Sequence, residues 1–556
     1  MALLTQAGSA QPTVSIPPNL QLRQWPAMLT AMAVFATLSA LAAVKSDGFL
    51  EADGCVHYEY ARFAFQEPHL LTNVWGRPFC TGIYSIPAVI GGLIGVRIAS
   101  LLIALAIGLI TYRIAKNQGY VWPGLAMIFL LGQPIVFLHS FSELTELPFA
   151  LLLALAFWAY QSRQWFWMAL AAAWLPTSRP EGFGFLILAA VALVLHRRTR
   201  YLPLLIVPLV LWSVFGWLLV PHEPPWYTQI PLWLPKHWPY STDSAYGHGW
   251  LGHFIVMLPA IVSPAVFPAL LLGLWQSLKS RQSTPYVLDA MWHSIFGEDH
   301  RTRVQWLIAI LPLGILAGHS LLFWAGRMAS NGELRYLTVV APMWALLAAK
   351  GWEWAFVRFN WRSALGWAGF AVVVPSLANV AYRVIPLRMD ADWKRSQAIV
   401  QWYEQSEFHE SYPLLIGTHP GVKYFQGVSP TDPKFSVEWN RKTAENPPWG
   451  SILIWDPMYS QYNADTSRIL KIEDLERSGW VRARVFPKEY LKPIRPGKLT
   501  MLMYRIKRPI LALFGKELVS PADQPAKEVV GEWFVYLGPK DRHGRPTMRP
   551  TTVPEN

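Results

Sequence analysis

Nothing charged lies between Arg23 and Lys45. At about 1.5 Å of rise per residue this uncharged stretch is long enough to cross a bilayer as a helix. A removable leader is the rival reading, but the preceding flank is long and carries a single Arg, and no small-x-small cleavage site follows the apolar stretch before Asp47. The segment is therefore read as a retained span. Similar apolar blocks recur along the chain and predict spans near 26–44, 96–112, 121–139, 147–161, 165–178, 183–195, 201–220, 251–278, 304–325, 336–350 and 364–385. The windows 165–178 and 183–195 are short against the roughly 20 residues of a straight span, and they are read as one tight hairpin turning at Pro176 to Gly182. The region 81–112 is too long for one span and holds Arg97 centrally, where an unpaired charge would be costly. Gly91, Gly92 and Gly95 divide it into a short interfacial helix and a span from near Val96.

Composition agrees with this reading. The chain is 53% hydrophobic and only 15% charged, against roughly 25% charged for an ordinary soluble domain. A formal charge of +13 could suggest nucleic acid, but its placement does not. Arg113 and Lys116, Arg163, the group Arg197, Arg198 and Arg200, then Lys279, Arg281, Arg301 and Arg303, and finally Arg358 and Arg362 fall in short loops between apolar blocks. They alternate with loops poorer in Lys and Arg, as the positive-inside rule requires. No nucleic-acid partner is expected. The N-terminal segment 1–25 is placed inside, a membrane domain covers 26–386, and its long outer loops are 46–95 and 221–250. The aromatic residues Trp226, Tyr227, Trp233, Trp238, Tyr240, Tyr246 and Trp250 suit either an interfacial belt or a platform for a lipid or sugar ring.

After Pro386 the pattern changes. Residues 391–405 alternate like an amphipathic helix, and 414–417, 452–455, 481–486 and 533–537 read as short buried strands. The expected fold is a polytopic α-helical membrane protein of about 11 spans with a small C-terminal α/β domain, residues 387–540, on the extracytoplasmic side. A Pro-rich tail, 541–556, is read as disordered. No internal repeat is found, which weighs against inverted-repeat transporters.

The candidate chemistry lies at the outer ends of spans. Glu51, Asp53 and His57 follow the first span directly, and Val56, Tyr60 and Phe63 recur at helical spacing behind them. A carboxylate held there can act as general base on a substrate hydroxyl, or it can merely complement a helix dipole. A partly dry site and the neighbouring charge of Glu51 would raise the pKa of Asp53 and favour sharing a proton. In the next outer loop, Glu143 and Glu146 precede Pro148; they either complement a helix N-terminus or face the same cavity, orienting a hydroxyl or holding a hard divalent cation. Arg179, within Ser178 to Gly182, and Arg335, beside Tyr336, are the guanidiniums available to a phosphate, if they are not simple anchors paired with Glu181 and Glu333. Of His57, His69, His222, His237 and His248, none has zinc-site spacing, and only His57 is retained as an active-site neighbour. Cys55 and Cys80 share the first outer loop and could form a disulfide there.

In order and in placement on one membrane side, these motifs resemble the GT-C superfamily of integral-membrane glycosyltransferases. The similarity is to the bacterial mannosyltransferase-like, protein O-mannosyltransferase and aminoarabinose-transferase type. The pieces are Glu51-x-Asp53-Gly with His57-Tyr58, Ser142-Glu143 through Glu146-Leu-Pro148, Ser178-Arg179-Pro180-Glu181-Gly182, and Arg335-Tyr336. The resemblance implies inverting transfer of a sugar from a polyprenyl-phosphate donor to a glycan, lipid or protein acceptor outside a bacterial inner membrane. Asp53 would be the catalytic carboxylate, Glu143 or Glu146 the second-loop acid, and Arg335 a neighbour of the donor phosphate. No second Asp accompanies Asp53, so Glu51 could share its role. Two other classes compete: a transporter or flippase, with charges at mid-membrane in broken helices, and a non-catalytic scaffold, in which these acids and arginines would scatter.

Overall fold

The computed structural model describes residues 24–220, 233–237, 247–279, 300–328, 330–357, 365–431, 450–461, 469–491 and 527–538. The expected aromatic residues between 221 and 246, other than Trp233, lie outside these ranges, as do most of the basic loop after Lys279 and the tail beyond 538. The chain divides into two compact units, Met1–Leu387 and Arg388–Asn556.

The first unit is helical throughout its described residues: α1 (Trp25–Lys45), α2 (Ala52–Phe63), α3 (Pro78–Asn117), α4 (Gly124–Leu131), α5 (Pro134–His139), α6 (Glu146–Gln161), α7 (Trp165–Ser178), α8 (Gly182–Leu195) and α9 (Leu202–Leu219). After the short helix Trp233–Lys236 come α10 (His253–Val262), α11 (Phe267–Lys279), α12 (His300–Ala325), a 3-10 turn (Leu334–Val340), α13 (Ala341–Val357) and α14 (Leu365–Val384). Five helices are long and apolar enough to cross a membrane, or six if the pair α10 and α11, bent by 114°, counts as one span. Exposed Ile90, Ile187, Leu218 and Val256 give these helices the apolar outer surface of an integral membrane protein.

The helix positions follow the apolar blocks, but two blocks are not single helices. Residues 121–139 break at Gly132 and Gln133, between α4 and α5, and 251–278 bends between α10 and α11. The division expected in 81–112 falls at Gly92, whose φ of 58° and ψ of −146° interrupt α3. Only glycine takes that conformation cheaply. Arg97 stands just beyond the break, 1% exposed, and is paired.

In the second unit, Asp390 caps the helix Ala391–Gln405 by accepting from the Trp393 amide at 3.0 Å. This helix lays Ile399, Val400 and Tyr403 on a sheet core with Leu415, Ile452, Ile454, Val535 and Leu537. The strands are β1 (Leu414–Gly417), β2 (Ser451–Trp455), β3 (Val481–Phe486), β4 (Glu489–Leu491), β5 (Lys527–Val530) and β6 (Trp533–Leu537), and four of them form a sheet in the order β1-β2-β6-β3. Its β1–β2 pair is parallel, while β6 runs antiparallel to both β2 and β3. All four expected strands are present, and the pair β4–β5 adds a ribbon that the sequence reading did not include.

Candidate active site

Three loops, each placed by a helix end, bring the charges together. After α1 the chain enters α2 with Glu51 at its N-cap position and Asp53 in its first turn, where a carboxylate complements the positive end of the helix. The face that α2 buries is set by Cys55, His57, Tyr58 and Ala61, whereas Val56 and Tyr60 stay partly open. The second loop ends at Glu146, the first residue of α6, with Pro148 in the opening turn where its missing amide costs nothing. The third follows α7, which Pro180 terminates by holding Arg179 extended at φ −159° and ψ 154°. The 3-10 turn before α13 carries Arg335 and Tyr336.

Arg335 is the hub. Its Nη2 donates to Asp53 Oδ2 at 2.6 Å, its Nε donates to Glu333, and Glu146 Oε1 lies 3.7 Å from that same nitrogen. Arg179 donates through Nη1 to Glu146 Oε1 at 2.5 Å and to Thr145 Oγ1 at 3.0 Å, and through Nη2 to Glu181 Oε1 at 2.9 Å. Glu146 is fully buried and so joins two guanidiniums. Both lie over the ring of Tyr336, at 5.6 and 5.8 Å, and His319 stacks on that ring with centroids 4.8 Å apart. His319 Nε2 also stands 3.5 Å from Glu181, and His139 Nε2 stands 3.9 Å from Glu146.

Two site expectations change. Glu143 does not join this cluster; Arg97 takes it, with Nε donating to Glu143 Oε1 at 2.7 Å. Arg97 also donates to the carbonyls of Ser46 and Gly48 at 2.8 and 2.6 Å, so the pair anchors the segment that leads into α2. The pKa of Asp53 is lowered, not raised: burial pushes it up, but Arg335, with His57 and Arg77, outweighs that effect. The raised carboxyl is Glu51, carried to about 7 by partial desolvation of a side chain that still reaches solvent and by the charge of Glu333, against the pull of Arg335. Burial also holds His57 neutral, its pKa pushed down to about 4 against the attraction of Asp53.

The expected disulfide is absent. Cys55 and Cys80 are both free and buried, and the Cys80 thiol meets Ser178 Oγ at 3.2 Å on α7. Among the described residues no group of three or more His, Cys, Asp or Glu gathers in a geometry that could hold a metal ion. Asp53, Glu146, Glu181 and Glu333 are matched to guanidiniums instead. His139, His319 and Glu333 belong to the cluster without having been candidates. Glu333 was named only as a partner for Arg335, and the two histidines carry no local signal because they lie on helices remote in sequence.

No family model matches the sequence, and no curated protein sequence matches it. Solved structures do. ArnT from Cupriavidus metallidurans in its apo state aligns over 77% of this chain and 93% of its own, with 12% identity and a TM-score of 0.50. The same protein bound to undecaprenyl phosphate aligns over the same shares at 11% identity and a TM-score of 0.51. An oligosaccharyltransferase from Archaeoglobus fulgidus in the apo form covers 92% of this chain and 88% of its own at 10% identity, with a TM-score of 0.47. Over about three quarters of its length the chain therefore shares the overall fold of those ArnT structures.

Proposed function

We propose that this protein is a membrane glycosyltransferase that moves a sugar from a polyprenyl-phosphate donor to an acceptor hydroxyl or amine with inversion. The observation that carries this reading is the meeting of Asp53 with Arg335 at 2.6 Å, beside a second guanidinium held through Glu146. A carboxylate beside two such cations supports a reading in which a base acts next to a phosphate leaving group. The ArnT structure with undecaprenyl phosphate shows that this fold can hold such a lipid in that protein. In the step proposed here, the acceptor oxygen attacks the anomeric carbon while its proton passes to Asp53. The bond from that carbon to the phosphate oxygen breaks, and the electron pair leaves on the polyprenyl phosphate. Arg335 and Arg179 stabilise the charge that develops there. An arriving donor phosphate competes for Arg335, so donor binding frees the Asp53 carboxylate for the acceptor.

The test is transfer of label from polyprenyl-phosphate sugars by the purified protein in lipid, across a series of pH values. Asp53 is ionised throughout the neutral range, so transfer by it alone should be flat there. A rate rising through pH 7 would assign the proton to Glu51, whose pKa of about 7 favours this second reading. No transfer with any donor of this class would overturn the proposal.

We infer further that the Asp53 end of the bundle faces outward from a bacterial inner membrane and that the turn after α6 faces the cytoplasm. Gln164, in that turn, is exposed. A Gln164→Cys variant should react with a membrane-impermeant thiol reagent only after the cytoplasmic face is opened. Labelling of intact cells would reverse the orientation.

A further inference from the structure

Helices α6, α7, α8 and α12 run between the candidate active site and a second, separate cavity. Glu146, Arg179 and Glu181 stand at one set of ends; Gln161, Trp165, His196 and His300 stand at the other. Helix α6 alone, with 16 residues, separates the two places by about 24 Å. The far cavity has a volume of about 700 Å³ and is lined by Arg163, Arg198, Arg200 and Arg303 with His196 and His300, and among the described residues that line it none is acidic. That volume falls in the range of small-molecule and headgroup pockets.

Three features give it the character of an anion site. First, its floor is built: Trp165 lies 4.4 Å from the His196 ring, His196 lies 5.3 Å from His300, and Tyr160 lies 5.0 Å from His300. His300 is 7% exposed and its Nε2 is engaged at 3.2 Å with the carbonyl of Gln161, which fixes the ring in the wall. Second, the turn after α6 keeps a guanidinium of the cavity, Arg163, where glycine is favoured. Helices α6 and α8 both end in a Schellman turn, with Gln164 donating to the Ala159 carbonyl at 2.8 Å and Arg198 to that of Leu193 at 2.7 Å. The left-handed position of each turn is an arginine at φ 56°: Arg163, which lines the cavity, and Arg197, which does not. Third, the field is positive enough to act on its neighbours: burial, then Arg303 and His300, push the pKa of His196 down to about 4.

The wall continues outward into an apolar surface. Phe166 and Trp167 at the start of α7 are 42% and 58% exposed, and Val194 and Ile206 on α8 and α9 are 53% and 56% exposed. Phe166 packs edge-on against Tyr201, so an aromatic rim joins the arginines to the lipid-facing helices. A soluble anion has no use for that continuation, whereas a lipid places its phosphate among the arginines and its chains along the apolar face. We propose that this cavity is a binding site for the phosphate headgroup of an anionic membrane lipid, distinct from the candidate active site and at the opposite end of the helices.

Native mass spectrometry of the full-length protein in detergent tests this with phosphatidylglycerol and phosphatidylcholine at equal concentration. Each charge-assisted contact is worth about 10-fold or more in retention. Phosphatidylglycerol should therefore be retained at least about 10-fold over phosphatidylcholine, and this preference should collapse in the double variant Arg163→Gln/Arg198→Gln. The matching double lysine variant should keep most of the preference, and Arg197→Gln, at an arginine that does not line the cavity, should keep all of it. Equal retention of the two lipids, or a preference untouched by the double variant, would overturn the proposal. Displacement of phosphatidylglycerol by excess inorganic phosphate would reassign the cavity to a soluble anion and overturn the lipid assignment. None of these readouts depends on sugar transfer, so their failure and a failure of the transferase reading are distinguishable.

Discussion

Asp53→Asn should cut sugar transfer by about 10²- to 10⁴-fold, the usual worth of a positioned general base, while leaving the protein folded and membrane-inserted. The amide keeps the shape of the carboxylate and can still accept from Arg335, but it cannot take a proton from the acceptor. A third of the Asp53 side chain is open to solvent, so loss of its charge costs at most about 1 kcal/mol of stability. Donor binding should survive, because Arg335 keeps Glu333 and Glu146 beside it and is released from one competitor for the phosphate. The measurement is turnover at saturating donor, with expression and melting temperature as controls. Near wild-type transfer by Asp53→Asn would sink the assignment. A matching loss confined to Glu51→Gln would move the base two residues back, to the carboxyl whose pKa is about 7.

Glu143→Gln should produce the largest loss of stability, about 3 to 5 kcal/mol, because it leaves a buried guanidinium without its counter-charge. Arg97 and Glu143 are each 1% exposed in their side chains, and no solvent replaces the missing partner. The effect should reach the site as well. Arg97 also holds the carbonyls of Ser46 and Gly48, so its relaxation loosens the approach to the helix that carries Asp53. Thermal unfolding in detergent, followed by tryptophan fluorescence, gives the shift. Replacing both partners with leucine should recover part of the loss, since an apolar pair needs no compensating charge. An unchanged melting temperature in Glu143→Gln would mean that the pair is not what holds the loop.

The sequence by itself determined where the chain is apolar and helical, because hydropathy and helix-ending signals act over neighbouring residues. The uncharged window before Lys45, the break at Gly92, the stop at Arg179 before Pro180 and the change of pattern after Pro386 all appear where local chemistry requires them. The four strands of the main C-terminal sheet were legible for the same reason, as short apolar runs between turn signals. The count of about 11 spans goes beyond the five helices, or six with the pair bent by 114°, that are long and apolar enough to cross, because several of the expected spans are shorter helices. Tertiary structure alone decided which charges meet. Glu143 and Glu146 are three residues apart, yet one is turned toward Arg97 and the other toward Arg179 and Arg335, because the helix begins only at Glu146. The same packing brought Arg335 across 282 positions to Asp53 and reversed the expected direction of that carboxyl's pKa. Ion pairs in a low-dielectric interior are set by distances between remote segments, and no periodicity in the chain encodes those distances.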